Sequence, residues 1–467
     1  MAVSRTPTRV RGLDEFYLSL TLGENSAADN EIELGEAIKS YDRLVILGDP
    51  GAGKTTMLRF IALTLARANS NNVMPKNKLE RIREKSANRA AQVRTRQEFG
   101  FQHVPLPVFM YLNRLRDITN WSNDHSLFDE IRAQANNIGA LPDFPEDFLR
   151  KKFTDGQCIF LFDAYDELGS SSAREHAAKK IGDLASASPS GNKFIVSSRV
   201  VGYNSQLAEY GFEVLSVNRL SWSNITRMVY QWVDALDRVD LSGELLSDMR
   251  ANPRIHELAV NPMLLSLIVL VQFVRGLIPD KRHLLYEDCI KILVERATAP
   301  GSVQQAYNRE VPSQEALFFL RLLASKFHHS RRREIPRDEV IDTLIPEVLA
   351  MMPTSQVAQV DPGTVLSNIE RRSQLLVERG FDHSGNPLIA FSHMIFQEYL
   401  TALALIDTAL AISEPNASQQ LITRYENDPE WWEEVALLYS AQLTGVSQSS
   451  FFDRLFSGNS TVRSGEK

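Results

Sequence analysis

From Tyr41 to about Val217 the chain alternates short, continuously apolar runs with amphipathic stretches. The apolar runs Arg43–Leu47, Pro107–Leu112, Cys158–Phe162, Lys193–Ser197 and Glu213–Val217 predict strands. Between them, Lys54–Ala68, Leu127–Asn137 and Ala173–Ser186 carry the helical period. A strand that is apolar on consecutive residues must be buried on both faces. The alternation therefore predicts a parallel five-stranded sheet with helices on each side, an α/β fold. Ligands of such sheets bind beyond the carboxyl ends of the strands, where Gly48, Asp163 and Arg199 fall.

After Trp222 the pattern turns helical, over Ile225–Leu236, Leu264–Arg275, Leu284–Arg296, Gln314–His328 and Gln397–Ile406. Proline-bearing breaks at Asn252-Pro253, Asn261-Pro262, Ile278-Pro279 and Val311-Pro312 separate most of these helices. The segment Ser373–Phe391 differs: two apolar runs flank a glycine-bearing stretch, as in a β-hairpin, and inside a helical domain this reads as the wing of a winged helix. The expected organisation is a short polar segment over 1–35, an α/β domain over 36–217 and a helical domain over 218–280. A winged-helix domain follows over 281–405, then a helical stub with a polar tail over 406–467. There is no internal repeat.

The length of 467 residues affords two to four domains, and the formal charge of −7 gives no global reason for an anionic partner. Cys158 and Cys289 are too few for a disulfide framework or a zinc cluster, and Cys158 lies in an apolar run that reads as core. The N-terminus lacks the apolar stretch of a signal peptide, and the run from Met263 to Val274 is too short to span a bilayer. These features suit a reducing cytoplasm. One segment is locally basic: Lys76–Glu98 carries basic residues at 76, 78, 81, 83, 85, 89, 94 and 96 against acids at 80, 84 and 98. It reads as a solvated helix. A docking surface for nucleic acid or an acidic partner is the sharper alternative, with no aromatic residue among the charges until Phe99.

Candidate chemistry begins where the first strand ends. Gly48-Asp49-Pro50-Gly51-Ala52-Gly53-Lys54-Thr55-Thr56 fits a phosphate loop between a strand and a helix. Glycines let the backbone curl so that several N–H groups point at one phosphate, and the helix N-terminus adds partial positive charge. Lys54 can then reach the β- and γ-phosphates, and the Thr55 hydroxyl can coordinate Mg²⁺. A second signal is Phe160-Leu161-Phe162-Asp163-Ala164-Tyr165-Asp166-Glu167. Asp163 at the strand end would hold Mg²⁺, and Asp166 or Glu167 would orient and deprotonate an attacking water. Taken alone, the same acids also suit a helix N-cap with an acidic first turn. Arg199, ending Ser197-Ser198-Arg199, can sense a γ-phosphate or pair with Asp163 or Glu167. His328-His329-Ser330-Arg331-Arg332-Arg333 reads as surface charge, and no nucleophile elbow is present.

The order of these parts resembles the NACHT branch of the signal-transduction ATPases with numerous domains (STAND). The resemblance rests on the loop at Gly48–Thr56, Asp163 with its following acids, and Arg199 with Tyr203 behind it. Two later segments add to it: Asn261-Pro262-Met263-Leu264-Leu265, and Phe391-Ser392-His393-Met394-Ile395-Phe396-Gln397-Glu398-Tyr399-Leu400. It covers Glu36 to Ala404 and implies a P-loop NTPase of the additional-strand (ASCE) type, followed by helical and winged-helix domains. By that resemblance Pro262 packs on the nucleotide base and His393 touches the β-phosphate of ADP in a closed form. Alone, Pro262 is a helix-start proline and His393 a core or surface histidine. The sequence departs from the family at Ala164, where a glycine is usual.

What the resemblance implies is a switch that binds ATP or ADP with Mg²⁺, hydrolyses ATP slowly, and opens to self-oligomerise, in bacterial antiphage defence or signalling. Its trigger, a phage or other pathogen component, and its effector would come from partners or from segments beyond those read here. Two alternatives stay open: a non-hydrolysing nucleotide-dependent scaffold, and a ring-forming ATPase acting on nucleic acid or protein.

Overall fold

The computed structural model describes residues 20–23, 31–70, 78–112, 115, 118–121, 126–131, 146–168, 171–200, 203–298, 313–352, 357, 360–372, 375–382, 386–412 and 414–457. They fall into two compact units, 1–269 and 270–467.

In the first unit the strands are β1 (Thr21–Gly23), β2 (Ile32–Glu33), β3 (Arg43–Leu47), β4 (Leu106–Tyr111), β5 (Cys158–Asp163), β6 (Lys193–Ser198) and β7 (Glu213–Val217). Their order is β2-β1-β7-β3-β6-β5-β4. Strands β3 to β7 are parallel, as the apolar runs predict, with strand ends shifted by a residue at most. Two antiparallel strands were not foreseen: β1 and β2 extend the sheet at the β7 edge, so part of the segment taken as a separate 1–35 piece belongs to the sheet. Three- and two-residue strands are too short to carry a period, and their pairing is decided by the exposed edge of β7.

Helices α1 (Leu34–Ser40), α2 (Lys54–Asn69), α3 (Lys78–Gln97), α4 (Glu146–Thr154) and α5 (Ser171–Ser186) belong to the sheet region. Helices α6 (Trp222–Ala235), α7 (Ser242–Ala251), α8 (Pro253–Ala259) and α9 (Pro262–Arg275) follow. Of the helix predicted over 127–137, residues 127–131 are helical and the remainder lies outside the described residues. Every residue of β5 is buried, and its Phe160 stacks on Phe194 of β6 with ring centroids 5.0 Å apart. Cys158 is fully buried, and that burial pushes its thiol up to about 12. The thiol is therefore inert core, as its apolar neighbours suggest.

The second unit contains helices α10 (Arg282–Thr298), α11 (Ser313–His329), α12 (337–350, with a π-turn at Val340–Leu344) and α13 (Pro362–Arg372). Strands β8 (Glu334–Pro336), β9 (Leu376–Phe381) and β10 (Pro387–Phe391) form a small antiparallel sheet in the order β8-β10-β9. The helix–strand–helix–helix–hairpin sequence from α11 to β10 is a winged helix, with the hairpin predicted at 373–391 as its wing. Helices α14 (Met394–Ile412), α15 (Glu414–Asn427), α16 (Pro429–Ser440) and α17 (Gly445–Ser457) complete the unit, with α14 packed on α11 and α16.

Here one expectation is corrected in part. In the run from His328 to Arg333, His329, Ser330 and Arg331 are exposed, as surface charge should be, but His328 is not. His328 is fully buried, its ring stacked on Trp431 at 4.8 Å and meeting Trp432 edge-on at 4.6 Å. Arg331 pairs with Asp428, and Arg332 donates to Glu339 at 2.8 Å. The run packs the winged helix against α16, which lies about a hundred residues further along the chain.

Candidate nucleotide site

The loop after β3 turns through two left-handed glycines, Gly51 at φ +77° and Gly53 at φ +95°, the second serving as N-cap of α2. An L side chain at either position would be strained, and glycine is the residue that adopts this backbone freely. At Gly51 a Cβ would also lie 2.8 Å from the Met263 Cβ. Lys54 folds over the loop and donates to the carbonyl oxygens of Gly48 and, at 3.1 Å, Asp49. Ala52 is buried, Pro50 half-buried, and Asp49 and Thr56 exposed.

Thr55, one residue into α2, donates its hydroxyl to Asp163 Oδ1 at 3.2 Å. Asp163 ends β5 and is 2 % exposed. Ser197 of β6 donates to the same carboxylate oxygen at 2.5 Å and in turn accepts the Ala164 N–H at 3.0 Å. Burial holds the Asp163 carboxyl above the usual carboxylate range, with the Ser197 and Thr55 hydrogen bonds pulling the other way. A hydroxyl and a buried carboxylate side by side are hard oxygen donors, and a cation would offset the cost of burying that charge. This pair fits Mg²⁺, which uses one or two protein oxygens and takes the rest from phosphate and water. Among the described residues no larger His, Cys, Asp or Glu cluster is placed to hold a metal.

Ala164 occupies the left-handed region, at φ 63° and ψ 54°. The glycine usual in the resembled family has a physical reason at this position. Ala164→Gly should relieve more strain than it adds in unfolded-chain entropy, for a net gain of about 0.5–1 kcal/mol. Urea denaturation of the two proteins reads this directly; a lower midpoint for the glycine variant would refute it.

The acids after it diverge. Asp166 accepts the Arg199 N–H at 3.0 Å and pairs with the Arg199 guanidinium at 3.3 Å. Arg199 thus pairs with Asp166, a partner that the sequence reading did not name. Glu167 is half-buried, in the single 3₁₀ turn Tyr165–Glu167. Tyr203 packs edge-on to Tyr165 with centroids 6.1 Å apart.

Pro262 opens α9, so the helix-start reading and the motif reading fall on one residue. Its neighbours touch the loop. The Asn261 side chain donates to the Pro50 carbonyl at 2.9 Å, and the Met263 N–H donates to the Gly51 carbonyl at 3.3 Å. Sequence reasoning missed both residues; the Asn-Pro pair signals a helix cap but not the loop it contacts.

His393 belongs to the second unit. It is exposed, just ahead of α14, with its ring edge-on to Phe396 at 5.9 Å. The basic segment is helical over Lys78–Gln97, with Ala91 and Thr95 buried, Arg94 stacked over Phe60 at 5.0 Å, and Lys85, Arg89 and Arg96 exposed. Among the described residues no helix is long and apolar enough to cross a membrane.

A phosphate loop on β3, a buried carboxylate ending β5 and an intervening β6 ending in an arginine define a P-loop NTPase fold of the ASCE type. Residues 282–405 match the family model of the winged helix-turn-helix domain C-terminal to NACHT. That domain follows the phosphate loop in the chain, the order that the resemblance to NACHT-type STAND proteins implies. No curated protein matches it. Among solved structures it is similar to a STAND protein with a tetratricopeptide repeat sensor from Pyrococcus horikoshii, at 12 % identity and a TM-score of 0.32 over 90 % of this chain and 57 % of that one. It is also similar to Cdc6p from Pyrobaculum aerophilum, at 14 % identity and a TM-score of 0.26 over 80 % and 91 % of the two chains. A third similarity is to the RuvB Holliday junction branch migration motor of Thermotoga maritima, at 11 % identity and a TM-score of 0.24 over 72 % and 82 %. The chain spans little more than half the length of the Pyrococcus protein.

Proposed function

We propose that this chain is an ATP/ADP-regulated switch that hydrolyses ATP slowly, is held closed by ADP, and opens to self-associate. The observation that carries the reading is the Thr55–Asp163 pair, 3.2 Å apart beside a glycine loop whose lysine is folded over it. Loop N–H groups and Lys54 would bind the phosphates, and Thr55 and Asp163 would hold Mg²⁺. When bound, Mg²⁺ would neutralise charge on the β- and γ-phosphates. Glu167 would accept the proton of the attacking water. Arg199, its backbone N–H and guanidinium both fixed by Asp166, would face the γ-phosphate.

Switching needs differential affinity, because a nucleotide that binds both states equally moves neither. In this reading Pro262 contacts the base and the exposed imidazole of His393 supplies the ADP-specific contact of the closed state. A coupling of about 1–3 kcal/mol corresponds to a roughly 5–150-fold preference. His393→Leu should therefore release ADP at least about fivefold faster and raise the oligomeric fraction. Mass in solution and nucleotide off-rate, measured with ADP and with a non-hydrolysable ATP analogue, check both. Unchanged ADP retention with an unchanged monomer would remove the clamp. A role in bacterial antiphage defence, with a pathogen-derived trigger, is the biological setting we assign to this switch. Turnover stimulated by DNA would point instead to a motor acting on nucleic acid, with exposed Lys85, Arg89 and Arg96 as its first contacts.

A further inference from the structure

Asn261 makes hydrogen bonds in two directions from one side chain. Its Oδ1 accepts the N–H groups of Met263 at 3.0 Å and Leu264 at 3.2 Å, capping α9. Its Nδ2 donates to the Pro50 carbonyl at 2.9 Å, across 211 residues of sequence. Beside it, the Met263 N–H donates to the Gly51 carbonyl at 3.3 Å. The two consecutive peptide groups that follow Pro50 and Gly51 are therefore held by the first turn of α9.

A trans peptide is planar, with its C=O and N–H pointing in opposite directions. Fixing the Pro50 carbonyl on Asn261 turns the Gly51 N–H away from α9. Fixing the Gly51 carbonyl on Met263 does the same for the Ala52 N–H, which is directed at the Asp49 carbonyl at 3.1 Å. Phosphate loops work by aiming such N–H groups inward, and glycines alone leave that aim undetermined because they adopt many conformations. Gly51 is also the residue at which a Cβ would lie 2.9 Å from Asn261 Oδ1, so the close approach requires its lack of a side chain.

We propose that Asn261 is the positioning residue of the phosphate loop: its amide orients the Pro50–Gly51 peptide so that the Gly51 N–H faces a nucleotide diphosphate, while the Ala52 N–H is held on the Asp49 carbonyl. The proposal rests on the nucleotide-switch reading and deepens it.

Two variants separate the two functions of the side chain. Asn261→Ser keeps a cap acceptor for the N–H groups of α9 but is too short to donate to Pro50. Asn261→Ala loses both. Both variants should bind Mg²⁺-ADP about tenfold more weakly by calorimetric titration, consistent with loss of one positioning hydrogen bond, while only the alanine variant should lower the melting temperature. In the nucleotide-free protein, amide hydrogen exchange at Gly51 and Ala52 should be faster in Asn261→Ser than in the native chain. A serine variant with native ADP affinity and native exchange at these amides overturns the proposal. If the native chain itself fails to bind ADP, the nucleotide reading falls. The exchange comparison then still decides whether Asn261 orders the loop.

Discussion

Glu167→Gln should lower ATP turnover by about 10²–10³-fold and leave ADP affinity within about twofold, because it removes a proton acceptor and no phosphate contact. Asp166→Asn should behave differently. Its Oδ1 can still accept the Arg199 N–H, but the charge opposite the guanidinium is lost. Both partners are largely buried, with side chains 8 % and 16 % exposed, so losing the charge opposite the guanidinium should cost about 1–3 kcal/mol of stability. Turnover should then fall less than about tenfold, through a loosened Arg199, and not through lost proton transfer. Phosphate release and urea midpoints on the two single variants make the comparison. Native turnover in Glu167→Gln would end its assignment as the base, and a deep turnover loss in Asp166→Asn at native stability would transfer the role to Asp166.

That division between neighbouring carboxylates marks the limit of what the sequence could say. Both acids are one and two residues past Tyr165, and composition gives no ground to choose between them. What distinguishes them is tertiary: the end of β6 brings Arg199 against Asp166. Strands β3, β5 and β6 were readable because burial on both faces writes itself as a continuous apolar run, while β4 and β7, flanking them, are only partly buried. Strands β1 and β2 were not, since two or three residues carry no period and their partner is a sheet edge formed elsewhere. The Asn261 cap was legible as Asn-Pro at a helix start, but its second bond, to Pro50, belongs to the tertiary structure alone. Within the histidine–arginine run, His328 alone departs from the expected exposure, because α16 arrives to cover it.

The same arrival makes the C-terminal helices a structural part of the second unit, and Trp432→Ala should expose this. Trp432 is 5 % exposed, lies edge-on to His328 at 4.6 Å and to His329 at 5.1 Å, and carries Arg424 over its ring at 5.4 Å. Truncation would remove a large apolar surface and leave a cavity beside a fully buried imidazole, at a cost of about 3–5 kcal/mol. Trp431→Phe should cost less, about 1–2 kcal/mol, because the half-buried ring survives and mainly the 2.9 Å bond from Nε1 to the His328 carbonyl is lost. Denaturant unfolding followed by tryptophan fluorescence and by far-UV dichroism should show the larger midpoint shift for Trp432→Ala. The opposite ranking would mean that the hydrogen bond, and not the packing, holds α16 to α11. Midpoints unchanged in both variants would mean that the winged helix is stable without its C-terminal partner.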